Sequence, residues 1–168
     1  MGYTRFQKIL HWLLAVLILL WLFVGGEMVE EAEGAEKITA IAIHSGGALL
    51  ILLLMIVRWF ARQKNPVAPA DTLKNWEKAW SLRIHLAFYI LVVLMVFSGI
   101  MQGVFYDQEV KLAGVIPITV GYQETLYGIF HAVHGLSATL FKILILLHIL
   151  AALKHQFIDR QAIIQRML

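Results

Sequence analysis

Apolar positions fall in four long runs along the chain, without the alternation that is typical of half-buried strands. The runs cover residues 9–25, 38–60, 84–105 and 126–153. A helix that crosses the hydrocarbon core of a bilayer needs about 17–25 residues of this kind. The pattern therefore predicts one all-α domain over residues 1–168, an integral membrane four-helix bundle in contact with membrane lipid.

Charged residues divide the two ends of this predicted bundle. Of the 14 Lys and Arg, all except Lys37, Lys111 and Lys142 precede the first run, lie at the end of the second run or between the second and third, or follow the fourth. The acidic residues gather in the other two loops, "GGEMVEEAEGAEK" and "YDQEVKLAGVIPITVGYQE". The positive-inside rule makes the basic end cytoplasmic, with both termini there. We call this basic end the inner end and the opposite end the outer end.

The loop between the second and third runs reads "ARQKNPVAPADTLKNWEKAWSLR". Its second half, from Asp71 or Thr72, has the pattern of a short amphipathic helix. We expect this helix to lie on the membrane surface at the inner end.

The amino-acid composition excludes several classes of function. The net charge is +3, but the basic residues lie at helix ends and form no stripe or arm, so no nucleic-acid partner is expected. The chain has no cysteine, which excludes disulfides, thiolate metal sites, iron–sulfur clusters and covalently attached haem. Any cofactor must be held by other ligands.

Seven histidines in so apolar a chain are the main chemical signal, because ionisable groups in membrane helices are costly and usually face the bundle interior. His134 and His148 are fourteen residues apart, which places them about 40° apart around a helix and about 21 Å apart along it. They point the same way at two depths. Two flat macrocycles stacked along a bundle require this arrangement from one helix.

The predicted helices supply a partner at each depth. His11 lies level with His148 near the inner end, and His44 lies level with His134 near the outer end. Two imidazoles on one haem iron make it six-coordinate and suited to electron transfer. The spacing predicts two non-covalent b haems, with His131 on the outer rim because it lies about 100° away from the face of His148.

Two further residues at the inner end are candidate cofactor contacts. Arg58 and His85 are expected to contact a haem propionate, and His85 is also a candidate for proton or quinone contacts. A charge that only marks topology is the alternative for Arg58, and an interfacial histidine without a role is the alternative for His85.

Lys142 stands near the middle of the fourth run, where an unpaired ammonium is costly. One hypothesis is a neutral lysine whose stem packs against lipid or the third helix. The other is a lysine that lines a small polar cavity near the cofactors.

Taken together, these residues resemble the bacterial cytochrome b561 family. The resemblance covers nearly the whole chain, through "HW", "IAIHSGG", "VRW", "IHLAFY", the two histidines fourteen apart, and the ending "IIQRML". It implies a di-haem b bundle in the bacterial cytoplasmic (inner) membrane, with haem ligands at His11, His44, His134 and His148. It also implies electron exchange with ubiquinone or menaquinone and, in some members, with superoxide or oxygen.

Three functions remain open at this point. The first is a quinone-linked oxidoreductase of the superoxide oxidase type, with superoxide, oxygen or a periplasmic redox partner on the outer side. The second is a cytochrome b anchor and electron-relay subunit of a larger dehydrogenase or hydrogenase complex. The third is a haem carrier or sensor. Short loops, which offer little docking surface for a soluble subunit, favour the first.

Overall fold

Four long helical segments dominate the computed structural model, which describes residues 2–168. The first consists of α1 (Arg5–Leu20), a π-helical turn (Trp21–Gly25) and α2 (Gly26–Glu31). The others are α3 (Gly34–Lys64), α4 (Asn75–Val104) and α5 (Glu124–Leu153). The chain then ends in a π-helical turn (Lys154–Ile158) and a 3₁₀ turn (Ile164–Arg166).

Each segment is long and apolar enough to cross a membrane. The spans are Arg5–Glu31, Gly34–Lys64, Asn75–Val104 and Glu124–Ile158, numbered here as spans 1 to 4. The prediction of an all-α, membrane-spanning four-helix bundle is confirmed. Every span is longer than its apolar run because the helical hydrogen bonds continue into the polar residues at the membrane surface.

The predicted surface helix is not a separate element, and this part of the prediction is wrong. Residues 71–74 form turns, and helix α4 then runs from Asn75 to Val104 without a break. The amphipathic residues are the first turns of span 3. The amphipathic pattern describes which side of these turns meets water, and it carries no signal for whether the helix stops before the apolar run begins.

The bundle core is a narrow apolar seam. It is formed by buried leucine, isoleucine, methionine, valine and phenylalanine side chains from all four spans: Leu10, Leu14, Leu22, Ile51, Met55, Leu91, Val92, Val96 and Phe141. Helix α4 packs most extensively on α5, and α3 packs on both α1 and α4, whereas α1 and α5 approach each other closely at few points. Most other large apolar side chains are exposed, as expected for surfaces that face lipid.

Buried polar groups link spans 1 and 2 at the inner end. Thr4 and Gln7 form a capping box at the start of α1. The buried Gln7 amide then donates to the carbonyls of Ala61 and Asn65, at 3.2 and 3.0 Å. The Ala61 carbonyl also accepts the last helical hydrogen bond of α3, from the Asn65 N–H at 3.1 Å, and Asn65 is the C-cap residue. Gln7 therefore sets the relative height of spans 1 and 2.

The long outer loop folds into a small lid. Strands β1 (Lys111–Leu112) and β2 (Ile116–Pro117) form an antiparallel hairpin. In its turn, the Ala113 N–H donates to the Ser45 hydroxyl oxygen at 2.9 Å. Val110, just before β1, is buried. The hairpin covers the outer end of α3 next to His44.

Candidate functional site: two histidine pairs between spans 1, 2 and 4

The structure brings His11 of α1 and His148 of α5 together near the inner end. Their ring centroids are 6.4 Å apart, and the ring planes are inclined by 67°. Near the outer end, His44 of α3 and His134 of α5 are 6.2 Å apart and inclined by 63°. We call these the inner pair and the outer pair, and they are the same two pairs that sequence spacing predicts.

The distance between the rings fits a metal centre shared by each pair. Imidazole nitrogens bind a metal at about 2 Å, and each nitrogen lies about 1 Å from its ring centroid. Two imidazoles on opposite sides of one iron therefore have centroids about 6 Å apart. Both pairs meet this requirement, although the assignment of the four histidines as haem ligands stays a prediction.

Hydrogen bonds hold the outer pair in one orientation. His44 Nδ1 donates to the Gly25 carbonyl at 3.0 Å, and His134 Nδ1 donates to the Met95 carbonyl at 2.9 Å. A carbonyl only accepts, so Nδ1 carries the proton in both rings and Nε2 is left with its lone pair free. Metal-binding histidines in proteins commonly have this arrangement.

A cavity separates the two rings of the outer pair. Its free space is about 410 Å³, including the part that opens to the surroundings. Trp21, Leu22, Val96 and Phe141 are among its apolar walls. A flat, largely apolar macrocycle ligated on both faces suits this chemistry.

Glycines allow close packing around the outer pair. A Cβ on Gly47 would lie 1.8 Å from the Trp21 ring, so only glycine fits there. The indole N–H of Trp21 donates to the His44 carbonyl at 2.9 Å. A Cβ on Gly25 would lie 3.1 Å from His44 Nδ1. These contacts seat span 1 directly against the helix that carries His44.

Polar and cationic groups surround the inner pair. The His85 ring lies 5.6 Å from the His148 ring, and its Nδ1 donates to the Ser81 carbonyl. A second cavity is lined by Tyr3, Gln7, Arg58, Arg62 and His85. Within residues 2–168, no carboxylate forms an ion pair with either arginine.

An unsatisfied hydroxyl lies beside this second cavity. Tyr89 packs edge-on against Trp59, with ring centroids 5.1 Å apart, and Trp59 directly follows Arg58. The buried Tyr89 hydroxyl has no hydrogen-bond partner among the described residues. The Arg58 guanidinium lies close to this hydroxyl. Because buried polar groups are normally paired, the hydroxyl and the two guanidinium groups without a carboxylate partner fit an anionic cofactor substituent such as a propionate.

The remaining predicted residues lie away from the two pairs. His131 Nδ1 lies 3.1 Å from the Gln102 side-chain oxygen, and its ring stacks on Tyr127 at 5.8 Å. Lys142 lines neither of the two cavities described above. Its amine lies 5.1 Å from the centre of the Phe23 ring, so the end of the side chain is directed toward span 1.

Several residues that support the site were missed by sequence reasoning. Gly25 and Met95 act through backbone carbonyls, which leave no mark in the sequence. Ser98 is fully buried, and its hydroxyl lies 3.2 Å from His134 Nδ1. A polar residue inside an apolar run was the available signal for Ser98. Arg62 carried a signal as well, since it follows Arg58 by one helical turn.

At the inner end, Asp159 directly follows span 4 and accepts hydrogen bonds from His155 Nδ1, at 2.8 Å, and from the Lys154 amine. These hydrogen bonds hold the pKa of the Asp159 carboxyl below its ordinary value. Glu77 lies nearby, and its ligand atom is within 4.8 Å of those of His155 and Asp159. Because the amine of Lys154 already contacts Asp159, we interpret the group as an exposed ion network.

Four membrane spans that place paired imidazoles at two depths define a membrane-bound b-type cytochrome, a protein of electron transfer. The comparison with known families agrees. Residues 2–168 match the model of the prokaryotic cytochrome b561 family, so the chain belongs to that family. It is therefore a multi-pass bacterial membrane protein that binds haem b. A search of curated proteins finds no match.

Proposed function

We propose that this cytochrome carries electrons between the membrane quinone pool and a one-electron partner at the outer end, through two b haems. The observation that carries the proposal is the presence of two imidazole pairs, 6.4 and 6.2 Å apart, at two depths of one bundle. Two redox centres at different depths permit electron transfer across the membrane. A protein that only carried or sensed haem would need a single haem site.

Each pair has a distinct task in this proposal. His11 and His148 hold the inner haem, and His44 and His134 hold the outer haem. The haem iron supplies the one-electron chemistry. The protein would supply imidazole nitrogens for the iron, apolar walls that exclude water, and cationic groups that neutralise propionates.

Charges at the inner end support a role for Arg58 and His85. Arg58 is half-buried and, with Arg62, lines the second cavity, beside the inner pair. A half-buried guanidinium without a carboxylate partner is costly in a membrane protein, and a propionate would neutralise it. We assign Arg58 to the inner propionates. His85 lies against His148 and lines the same cavity, where it is positioned to contact a propionate or to carry a proton.

The orientation follows from charge. We place the inner end in the cytoplasm and the chain in the bacterial cytoplasmic membrane, because the basic residues gather at that end. The outer pair then faces the periplasm. The candidate partners on that side are superoxide or oxygen, or a periplasmic redox protein, and the quinone is ubiquinone or menaquinone.

The test uses the purified full-length chain in detergent or nanodiscs. Haem extraction with pyridine should give a b-type spectrum and two haems per chain. A soluble ubiquinol or menaquinol analogue should then reduce the haems, and superoxide should reduce them in a reaction that superoxide dismutase suppresses. One haem per chain, or haems that respond to dithionite but to no quinol, would contradict the proposal.

The anchor-subunit alternative predicts a different result. A dehydrogenase or hydrogenase subunit should copurify with the chain in a fixed ratio under mild solubilisation. Quinol should then reduce the haems of the isolated chain, but superoxide should not. Purification from native membranes, followed by mass measurement of the intact complex, separates the two.

A further inference from the structure

Lys142 is an amine on the lipid-facing side of the bundle, and the haem sites leave its role unexplained. The side chain is exposed, and its amine lies 5.1 Å from the centre of the Phe23 ring. Within the described part of the chain, no carboxylate forms an ion pair with it. An aromatic face stabilises a cation only in part. The amine therefore retains N–H groups that can donate to a ligand.

Lys142 lies between the two histidine pairs in depth, because it follows His134 by eight residues and precedes His148 by six on α5. Side chains on a helix tilt toward its N-terminus, which for α5 is the outer end, so the lysine stem is directed from mid-span toward the outer side. Its neighbour Phe23 lies between Trp21 and Gly25, which both hydrogen-bond to His44. The backbone of Phe23 is thus near the depth of His44, and its ring tilts from there toward mid-span, because span 1 begins at the inner end.

Lys142 and Phe23 lie outside the outer cavity, on the lipid-facing side of two of its walls. Leu22 and Phe141 line that cavity, and Phe23 and Lys142 are the next residues along their helices. Both are exposed, whereas Leu22 and Phe141 are buried. Spans 1 and 4 approach each other closely at few points, so this seam is the least closed side of the bundle.

We infer that Lys142 and Phe23 form a binding site for the head group of a membrane quinone, at the lipid-facing seam between spans 1 and 4 and at a depth between the two histidine pairs. This inference rests on the proposed function. The Lys142 amine donates a hydrogen bond to a quinone carbonyl, the Phe23 ring packs on the quinone ring, and the seam leaves the isoprenoid tail in lipid.

The chemistry favours a quinone over the other occupants of a membrane. The phosphate of an anionic lipid lies at the membrane surface, whereas this site lies deep within span 4, between the levels of His134 and His148. A partner helix would need an acidic side chain at this depth to pair with the amine. A quinone needs only the single donor and the aromatic face that are present. Its redox balance also fits: one quinol gives two electrons to two ferric haem irons and releases two protons.

The test combines binding with kinetics on the full-length protein. A photoreactive ubiquinone analogue should label the peptide that contains Phe23, and labelling should fall in Lys142→Met, which keeps the stem and removes the amine. Reduction of the haems by decylubiquinol at subsaturating concentration should slow about five- to tenfold, the effect of losing one hydrogen bond. Lys142→Arg, which keeps a donor, should restore most of both signals. Phe23→Leu should weaken labelling as well.

The matched control is Lys111→Met, which removes an exposed amine from the outer hairpin and should leave labelling and kinetics unchanged. Equal labelling and equal rates in Lys142→Met and the unaltered protein would overturn the inference. Loss of the outer haem in Lys142→Met would also overturn it, because the amine would then serve the cofactor. Loss of a bound membrane protein from Lys142→Met would assign the site to a partner helix instead.

The same data separate this inference from the proposed function. If quinol fails to reduce haems that dithionite reduces, the proposed function is wrong. If quinol reduces the unaltered protein and Lys142→Met at the same rate, the function stands and this site is wrong.

Discussion

The outer and inner histidine pairs have nearly the same ring separation but differ in what holds the rings. In the outer pair, His44 and His134 each donate from Nδ1 to a backbone carbonyl. In the inner pair, His11 packs edge-on against Trp12 at 5.3 Å, and His148 packs edge-on against Phe88 at 5.7 Å. Among the described residues, no hydrogen bond reaches a ring nitrogen of His11 or His148.

The two pairs also differ in the charges around them, and here the inner pair is the one with more charged neighbours. Arg58 and Arg62 line the cavity beside the inner pair, while the outer cavity has mainly apolar walls. The outer rings are therefore oriented by the protein itself. Under the proposed function, the inner site would depend more on its haem, whose carboxylates would neutralise the arginines. Two sites of similar ligand geometry can thus gain their stability from different forces.

The largest effect should come from removing a ligand. His44→Ala or His134→Ala should remove the outer haem and keep most of the inner one, and His11→Ala or His148→Ala should do the reverse. Each change leaves one iron without its second imidazole. Haem content per chain and the spectrum of the remaining haem measure the outcome.

Two neighbouring histidines are the controls for this experiment. His131→Ala and His85→Ala should each keep both haems, because His131 faces Gln102 and the His85 ring is closer to the His148 ring than two imidazoles on one iron allow. If His131→Ala removed the outer haem and His134→Ala kept it, His131 would be the ligand in place of His134. Loss of the inner haem from His85→Ala would make His85 a ligand.

Replacing Arg58 should weaken binding of the inner haem and leave the outer haem in place, because Arg58 lies beside the inner pair only. Arg58→Gln keeps a polar side chain and removes the charge that we assign to the inner propionates. Loss of a charged hydrogen bond costs about 1.5–3 kcal/mol, so inner-haem affinity should fall about tenfold or more while the outer haem stays bound. Haem titration into haem-depleted protein measures both sites. Equal weakening of both haems would show that the contrast between the pairs is wrong.

Gly47→Ala should disturb the outer pair with a smaller effect. The added Cβ would lie 1.8 Å from the Trp21 ring, which must move and weaken its hydrogen bond to the His44 carbonyl. Overpacking of this kind costs about 1–3 kcal/mol. The outer haem should bind less tightly and the melting temperature should fall. Gly135→Ala is the matched control, since nothing lies within 4 Å of its added Cβ.

The smallest effect concerns Asp159, which lies beyond the membrane at the inner end. Hydrogen bonds from Lys154 and His155 lower the pKa of its carboxyl. A lowered folded-state pKa stabilises the fold above the ordinary carboxyl pKa, and the stabilisation is lost as the pH falls through the lowered value. Asp159→Asn should reduce the melting temperature slightly at neutral pH. The difference from the unaltered protein should shrink under acid conditions, and both haems should stay bound.

Much of the fold and of the candidate site could be predicted from the sequence. Long apolar runs require helices in lipid, because every backbone polar group must be paired there, and this determined the four spans. The spacing of His134 and His148 on one helix, together with the heights of His11 and His44, predicted which rings meet. The cysteine-free composition determined that any haem is held without covalent links.

Other features were decided only by the tertiary structure. The carbonyls of Gly25 and Met95 orient the outer rings, and every residue has such a carbonyl, so no residue type signals this role. The continuity of α4 from Asn75 into the membrane depends on the cooperative hydrogen bonds of one long helix, which an amphipathic pattern does not reveal.

The neighbours of Lys142 show the same limit of sequence reasoning. Its position in the fourth apolar run marked it as unusual, but helix periodicity placed it only relative to His134 on its own helix. Phe23 lies more than a hundred residues earlier in the chain. Only the packing of span 1 beside span 4 brings the Phe23 ring close to the lysine amine. Helix periodicity describes the faces of a single helix and contains no distance between two helices.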